Sequence, residues 1–117
     1  MGDTFTPVAG SSRRERAVVW MDRDRALVAK SRAGRHELSE VVRDVRPDAE
    51  FLPRVANEAA GCERILVMGP DDIRLAFELQ YVAIYRRPDR LLDGAAEIAP
   101  EPRRLVELLR RLERPVA

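Results

Sequence analysis

Residues Arg64–Arg87 read RILVMGPDDIRLAFELQYVAIYRR, and this stretch decides the fold. Ile65–Met68 are four consecutive apolar residues with charge before them and Gly69-Pro70 after. A run without polar alternation suits a strand covered on both faces. Gly69 and Pro70 turn the chain. Asp71 and Asp72 then fall in the first turn of a helix reaching about Arg86, where carboxylates favour the positive end of the helix dipole. Its apolar set (Ile73, Leu75, Ala76, Phe77, Leu79, Val82, Ala83, Ile84) is wider than one stripe, which predicts burial on more than one side. Pro88 ends the helix.

Before this unit, Arg16–Met21 (RAVVWM) is a short run rich in β-branched residues. Asp22-Arg23-Asp24 reads as a turn and Arg25–Ser31 (RALVAKS) as a second strand, a hairpin with Trp20 on its inner face. Gly34 punctuates the next connection. In His36–Asp44, Leu38 and Val42 share one parity while Val41 breaks it, so the expectation is a third, edge-like strand. Asp48 is placed as the N-cap of a helix carrying Phe51, Leu52, Val55, Ala56, Ala59 and Ala60 up to Gly61. Pro53 inside that run implies a bend or a later start.

After the central unit, Leu91–Ile98 (LLDGAAEI) reads as a last strand interrupted at Asp93-Gly94. Pro100 and Pro102 precede a final amphipathic helix, Arg103–Glu113, whose apolar face is Leu105, Leu108, Leu109 and Leu112. The order is β-β-β-α-β-α-β-α, a compact mixed sheet with helices on its faces. Residues 1–14 are read as a flexible arm and 15–114 as a single α/β domain. A chain of 117 residues has room for one modest core, burying about two-thirds of its accessible surface on folding.

Charge excludes some functions. There are 21 basic and 20 acidic residues, a net charge of +1, so bulk charge does not hold this protein to nucleic acid, and any RNA contact must come from a local patch. The basic residues are nearly all Arg, with Lys30 the single Lys. A genome rich in G and C produces that skew; so does selection for a guanidinium fork that fits phosphate. Cys62 stands alone, which fits a reducing cytoplasm. No stretch approaches the ~18 apolar residues of a membrane span, and the N-terminus lacks the apolar centre of a secretory signal.

No catalytic or metal-binding pattern is visible. The one histidine, His36, lies in a polar stretch without a nucleophile motif. Cys62 follows Gly61 and precedes Glu63, a carboxylate that discourages a thiolate, and reads as a small residue at the core's edge. One Cys and one His make no zinc spacing, and Asp22 and Asp24 are interleaved with Arg23 and Arg25. The strand–turn–helix corner invites a phosphate reading, because helix N-termini bind anions. Asp71 and Asp72 oppose it, and neither glycine-rich phosphate pattern is present. No cofactor is expected. Two Arg clusters remain: Arg13, Arg14 and Arg16 before the first strand, and Arg103, Arg104, Arg110 and Arg111 on the last helix, with Arg114 beyond. They serve either as a solvated face paired with Glu107 and Glu113, or as a contact to the phosphates of ribosomal RNA.

Four segments together resemble a known group: AVVWMDRDRALVAKS, PDAEFLPRVANEAAGCE, RILVMGPDDIRLAFELQ and LLDGAAEIAPEPRRLVELLRRL. The group comprises small bacterial proteins, some labelled "translational machinery protein". They are related to the third domain of archaeal and eukaryotic peptide-chain release factors and of the ribosome-rescue protein Pelota. The resemblance spans Ala17–Leu112 and is one of pattern and order. It implies an α/β/α sandwich like that of the kink-turn-binding ribosomal proteins, and a domain that docks a translational GTPase without carrying the catalysis. No two glycines are adjacent, so the Gly-Gly-Gln tripeptide of peptide release is absent. The Gly-rich loop of the kink-turn binders is missing too.

The expectation is therefore a cytoplasmic, non-enzymatic, translation-associated adaptor that binds the ribosome or a translational GTPase in stress, hibernation or rescue. Two rival readings remain: a small-ligand or nucleotide-binding stress protein, and a structural homo-oligomer that uses the third strand or last helix as its interface.

Overall fold

The computed structural model describes residues 15–94 and 99–113. Strand β1 is Arg16–Met21, β2 Arg25–Arg32 and β3 Arg35–Val42. Helix α1 is Asp48–Glu58, strand β4 Arg64–Met68 and helix α2 Asp71–Tyr85. A short 3-10 turn, Pro88–Arg90, leads to strand β5, Leu91–Asp93, and helix α3 is Pro102–Glu113. The five strands form one sheet in the order β3-β2-β1-β4-β5. The β1–β2 and β2–β3 pairs are antiparallel, whereas β4 is parallel to both β1 and β5. The sheet is mixed, as the sequence predicts.

Alternation along the strands builds two cores. Ala17, Val19, Met21, Ala26, Val28, Ile65 and Val67 point to one face, where Phe51, Leu52 and Val55 of α1 and Ile73, Phe77 and Tyr81 of α2 cover them. Val18, Trp20, Ala29 and Met68 point to the other face and meet Leu105, Leu108 and Leu109 of α3. The result is an α/β/α sandwich with two helices on one side and one on the other. β1 lies between β2 and β4 and is apolar on both faces, which is why RAVVWM alternates in nothing but direction.

The structure revises several local expectations. Val41, not Leu38 or Val42, is the buried apolar residue of β3; Leu38 is 49% and Val42 53% exposed. Val41 lies opposite Ala26, on the two-helix face, while Leu38 and Val42 lie on the face that α3 covers incompletely. α1 begins at Asp48, with Pro47 as its N-cap, and runs through Pro53 without a later start. α2 is buried along one stripe, Ile73, Phe77 and Tyr81; Leu75, Leu79 and Ile84 are exposed, against the expectation of burial on several sides. β5 ends at Asp93, where the sequence places the interruption. Residues 95–98 lie outside the described set, as does the arm expected over residues 1–14.

A candidate partner-binding site beside α2 and β5

The side of α2 that turns away from the core ends in a hollow of about 420 Å³ against the β5 edge. Leu75, Leu79, Val82, Pro88 and Leu91 supply its apolar walls, and Glu78 and Asp93 stand in it as a pair of carboxyl groups. Leu75 and Leu79 are one helical turn apart, so both present side chains along the same rim. They are 50% and 74% exposed, an apolar ridge that the domain's own core does not use.

Glu78 Oε2 is buried and has no hydrogen-bond partner among the described residues. Burial, then the Asp93 carboxyl beside it, push the Glu78 carboxyl up to about 7, with Arg74 opposing. Two carboxylates that share one site cannot both ionise cheaply. Arg74 fixes the arrangement. Its Nη1 donates to the carbonyls of Gly69, at 3.2 Å, and Gly94, at 3.3 Å. Its Nη2 lies 2.9 Å from Asp71 Oδ1, and its Nε 3.5 Å from Asp93 Oδ1. One guanidinium thus ties the β4–α2 corner to the end of β5.

A pH dependence follows. A carboxyl held above its ordinary range in the folded state binds a proton that the unfolded chain has already released, so folding stability falls as pH rises from about 4.5 towards 7. Glu78→Gln keeps the neutral shape at every pH. The variant is expected to match the parent near pH 4 and to exceed it at pH 8 by on the order of 1 kcal/mol, a figure reduced for solvent screening of a partly exposed side chain. Urea melts at the two pH values measure the difference. A larger gain at the lower pH would contradict the assignment.

The strand–turn–helix corner itself is filled. Asp72 Oδ1 accepts the Ile73 N–H at 2.9 Å, and Oδ2 pairs with Arg23. That backbone hydrogen bond, ahead of Arg23, holds the Asp72 carboxyl below its ordinary range. A carboxylate of the chain occupies the place an anionic ligand would take. Asp22 is a turn residue: its Oδ1 accepts the N–H groups of Asp24 and Arg25, at 2.8 and 3.0 Å. Such an Asx turn leaves little of that oxygen for a metal. Among the described residues no three His, Cys, Asp or Glu side chains are grouped to hold a metal ion. Cys62 is fully buried in the two-helix core, and burial pushes its thiol up to about 11. His36 Nε2 lies 3.2 Å from Glu113 Oε2.

The Arg residues singled out in the sequence are not gathered into one patch. Arg16 is mostly buried: its side chain is 15% exposed and reaches the carboxylate of Glu63 and the carbonyl of Glu15. Arg103, Arg104 and Arg110 share a flank of α3 with Glu101 and Glu107. Arg104 pairs with Glu107 at 3.0 Å, and Arg103 is 3.7 Å from Glu101. Arg110 and Arg111 are exposed in the last turn of α3. Arg13 and Arg14 lie outside the described residues. The α2–β5 hollow went unseen in the sequence, although Leu75 and Leu79 spaced four apart, off the Ile73–Phe77–Tyr81 stripe, were its signal.

No family model matches the sequence, and no curated protein matches it. Solved structures do match in fold. Archaeoglobus fulgidus Pelota superposes with a TM-score of 0.63 at 19% identity, over 89% of this chain and 33% of the Pelota chain. The archaeal translation termination factor aRF1 gives 0.60 at 19% identity, over 97% of this chain and 39% of that one. Saccharomyces cerevisiae Dom34, a termination-like factor of RNA quality control that interacts with Hbs1, gives 0.52 at 11% identity, over 88% and 37%. The fold is that of a domain shared by release factors and Pelota proteins. This chain spans only a third to two-fifths of their length.

Proposed function

We propose that this chain is a non-enzymatic adaptor of the translation machinery, binding the ribosome or a translational GTPase in stress, hibernation or rescue. The observation that carries the reading is the fold likeness to Pelota, aRF1 and Dom34 over most of the chain. The α2–β5 hollow supplies a suitable docking surface: an apolar ridge for contact area, and the Glu78–Asp93 pair to receive a Lys or Arg of the partner. Arg13, Arg14, Arg16, Arg103, Arg104, Arg110 and Arg111 are the residues proposed to approach ribosomal RNA. Among the described residues of this set, Arg103, Arg110 and Arg111 are open for phosphate contact, and Arg16 is the least exposed.

Co-sedimentation of tagged protein with ribosomes from growing and starved cells tests the proposal. Absence from every ribosomal fraction, with a different stable partner recovered, would overturn it. The site is tested by Leu75→Asp combined with Leu79→Asp. Both side chains are exposed, so the double variant is expected to keep its fold to within about 1 kcal/mol. Partner binding is expected to fall at least tenfold, about 1.4 kcal/mol. Undiminished binding would move the site elsewhere.

A further inference from the structure

β3 forms one edge of the sheet, at the opposite end from the α2–β5 hollow. The Arg43 N–H donates to the Asp24 carbonyl. With the register of β2 and β3, this puts the backbone groups of Arg35, Glu37, Ser39 and Val41 towards β2. Those of His36, Leu38 and Glu40 point outward, and among the described residues no strand pairs with them. The Val42 carbonyl is taken by Arg46. The four outward positions, His36, Leu38, Glu40 and Val42, carry their side chains on the α3 face, and all four are exposed. An edge of this length with an exposed leucine at its centre is a template for another strand.

The charges on this edge select the partner. Two copies of β3 related by a twofold axis pair their outward groups only in registers that set these four residues against one another. Centring the axis on Leu38 places Leu38 against Leu38 and each His36 against the other copy's Glu40. Centring it on Glu37 or Glu40 sets like carboxylates opposite each other; centring it on Ser39 sets Leu38 against Glu40 and His36 against Val42. Only the Leu38-centred register matches apolar with apolar and base with acid. Within one chain Glu40 already pairs with Arg25 at 3.2 Å and His36 with Glu113 at 3.2 Å. In the Leu38-centred register these extend into an alternating row, Arg25–Glu40–His36–Glu113, that passes once between the copies, and the twofold axis generates a second such row. Beside it, Leu27, Leu38, Pro102 and Leu105 line an apolar hollow between the sheet and α3, which the second copy's edge would help close.

We propose that a second copy of this chain docks antiparallel on β3, with Leu38 on the twofold axis, forming a continuous ten-stranded sheet. The contact is small, in the class below about 1,200 Å², so the dimer is a concentration-dependent one. Sedimentation of the full chain from about 1 to 500 μM, a range spanning weak affinities, is expected to show a monomer–dimer equilibrium. Leu38→Lys, which sets two ammonium groups together on the axis, is expected to leave monomer only, with an unchanged circular dichroism spectrum because position 38 is on the surface. Register is tested with cysteines, the native Cys62 being buried. Leu38→Cys is expected to form an intermolecular disulfide on mild oxidation, since paired residues about 5.5 Å apart suit that bond; Glu40→Cys, distant from its copy, is expected not to. Monomer at every concentration would overturn the proposal. So would a dimer that survives Leu38→Lys, or cross-linking through Glu40→Cys as efficient as through Leu38→Cys. Docking at the α2–β5 hollow, on the opposite edge of the sheet, is tested separately by the Leu75→Asp and Leu79→Asp pair.

Discussion

Gly69→Ala is expected to remove about 3–5 kcal/mol of folding stability, a large part of the 5–15 kcal/mol a domain of this size has. Two costs add at this residue. Gly69 has φ +122°, a conformation that side-chain-bearing residues rarely adopt. A Cβ there would also stand 2.0 Å from the Met21 carbonyl oxygen and 3.2 Å from its carbon, backbone atoms that no rotamer change can move. The crowding follows from the sheet: Trp20 and Met68 are the last parallel partners of β1 and β4, so the chain must turn away against the end of β1. Gly34→Ala separates the two costs. Gly34 has φ +80° but nothing within 4 Å of its missing Cβ, so it should lose only about 1–2 kcal/mol. Urea midpoints of both variants measure the gap; equal losses would show that the close approach to Met21 costs nothing.

Tyr81 carries the second large effect, and its two halves behave differently. It is among the largest fully buried side chains, its ring centroid 6.2 Å from that of Phe77 and 4.8 Å from that of Tyr85. Tyr81→Ala opens a cavity in the two-helix core and is expected to cost about 3–5 kcal/mol. The hydroxyl contributes little. Its oxygen is buried and makes no hydrogen bond to any described residue, so Tyr81→Phe removes a desolvated polar group and should lie within about 1 kcal/mol of the parent, on either side. In thermal melts the alanine variant should fall by roughly 12–25 °C and the phenylalanine variant by less than about 5 °C. A large loss in Tyr81→Phe would mean that the hydroxyl is held by a strong bond after all.

Most of the sheet is legible in the sequence because its strands are marked by composition and punctuation. RAVVWM and RALVAKS, separated by an Asp-rich turn, become β1 and β2 at nearly those bounds, and ILVM before Gly-Pro becomes β4. α3 is equally plain, with Leu105, Leu108 and Leu109 buried at helical spacing and Pro102 at the first helical position. β3 was harder. Strand parity says which residues share a face but not which face is the better covered, and a single helix on the α3 side leaves Leu38 and Val42 in solvent. α2 misleads for a related reason. Its surplus of apolar residues suggests core on all sides, but Leu75 and Leu79 form the wall of an open hollow. A binding surface and a second buried face have the same composition; only the three-dimensional placement of β5 tells them apart. The Glu78–Asp93 pair, joining residues far apart in the chain, has no local signature. The Arg clusters illustrate the reverse limit: Arg16 sits in a basic run but is spent on Glu63 and a backbone carbonyl.

β1 is hydrogen-bonded on both sides and roofed on both faces, while β3 and β5 each have one side that no strand among the described residues pairs. That difference sets a clock in the molecule. Amide protons of Val18 and Val19 have no local opening that frees them, so their exchange with deuterated solvent reports unfolding of the entire domain. Amides on β5, a strand of three residues, exchange through openings too small to disturb β1. One exchange experiment thus separates injury to the whole fold from loosening of a single edge: Gly69→Ala should quicken Val18 and Val19 by orders of magnitude, whereas the surface changes at Leu75, Leu79 and Leu38 should shift their rates by no more than about fivefold.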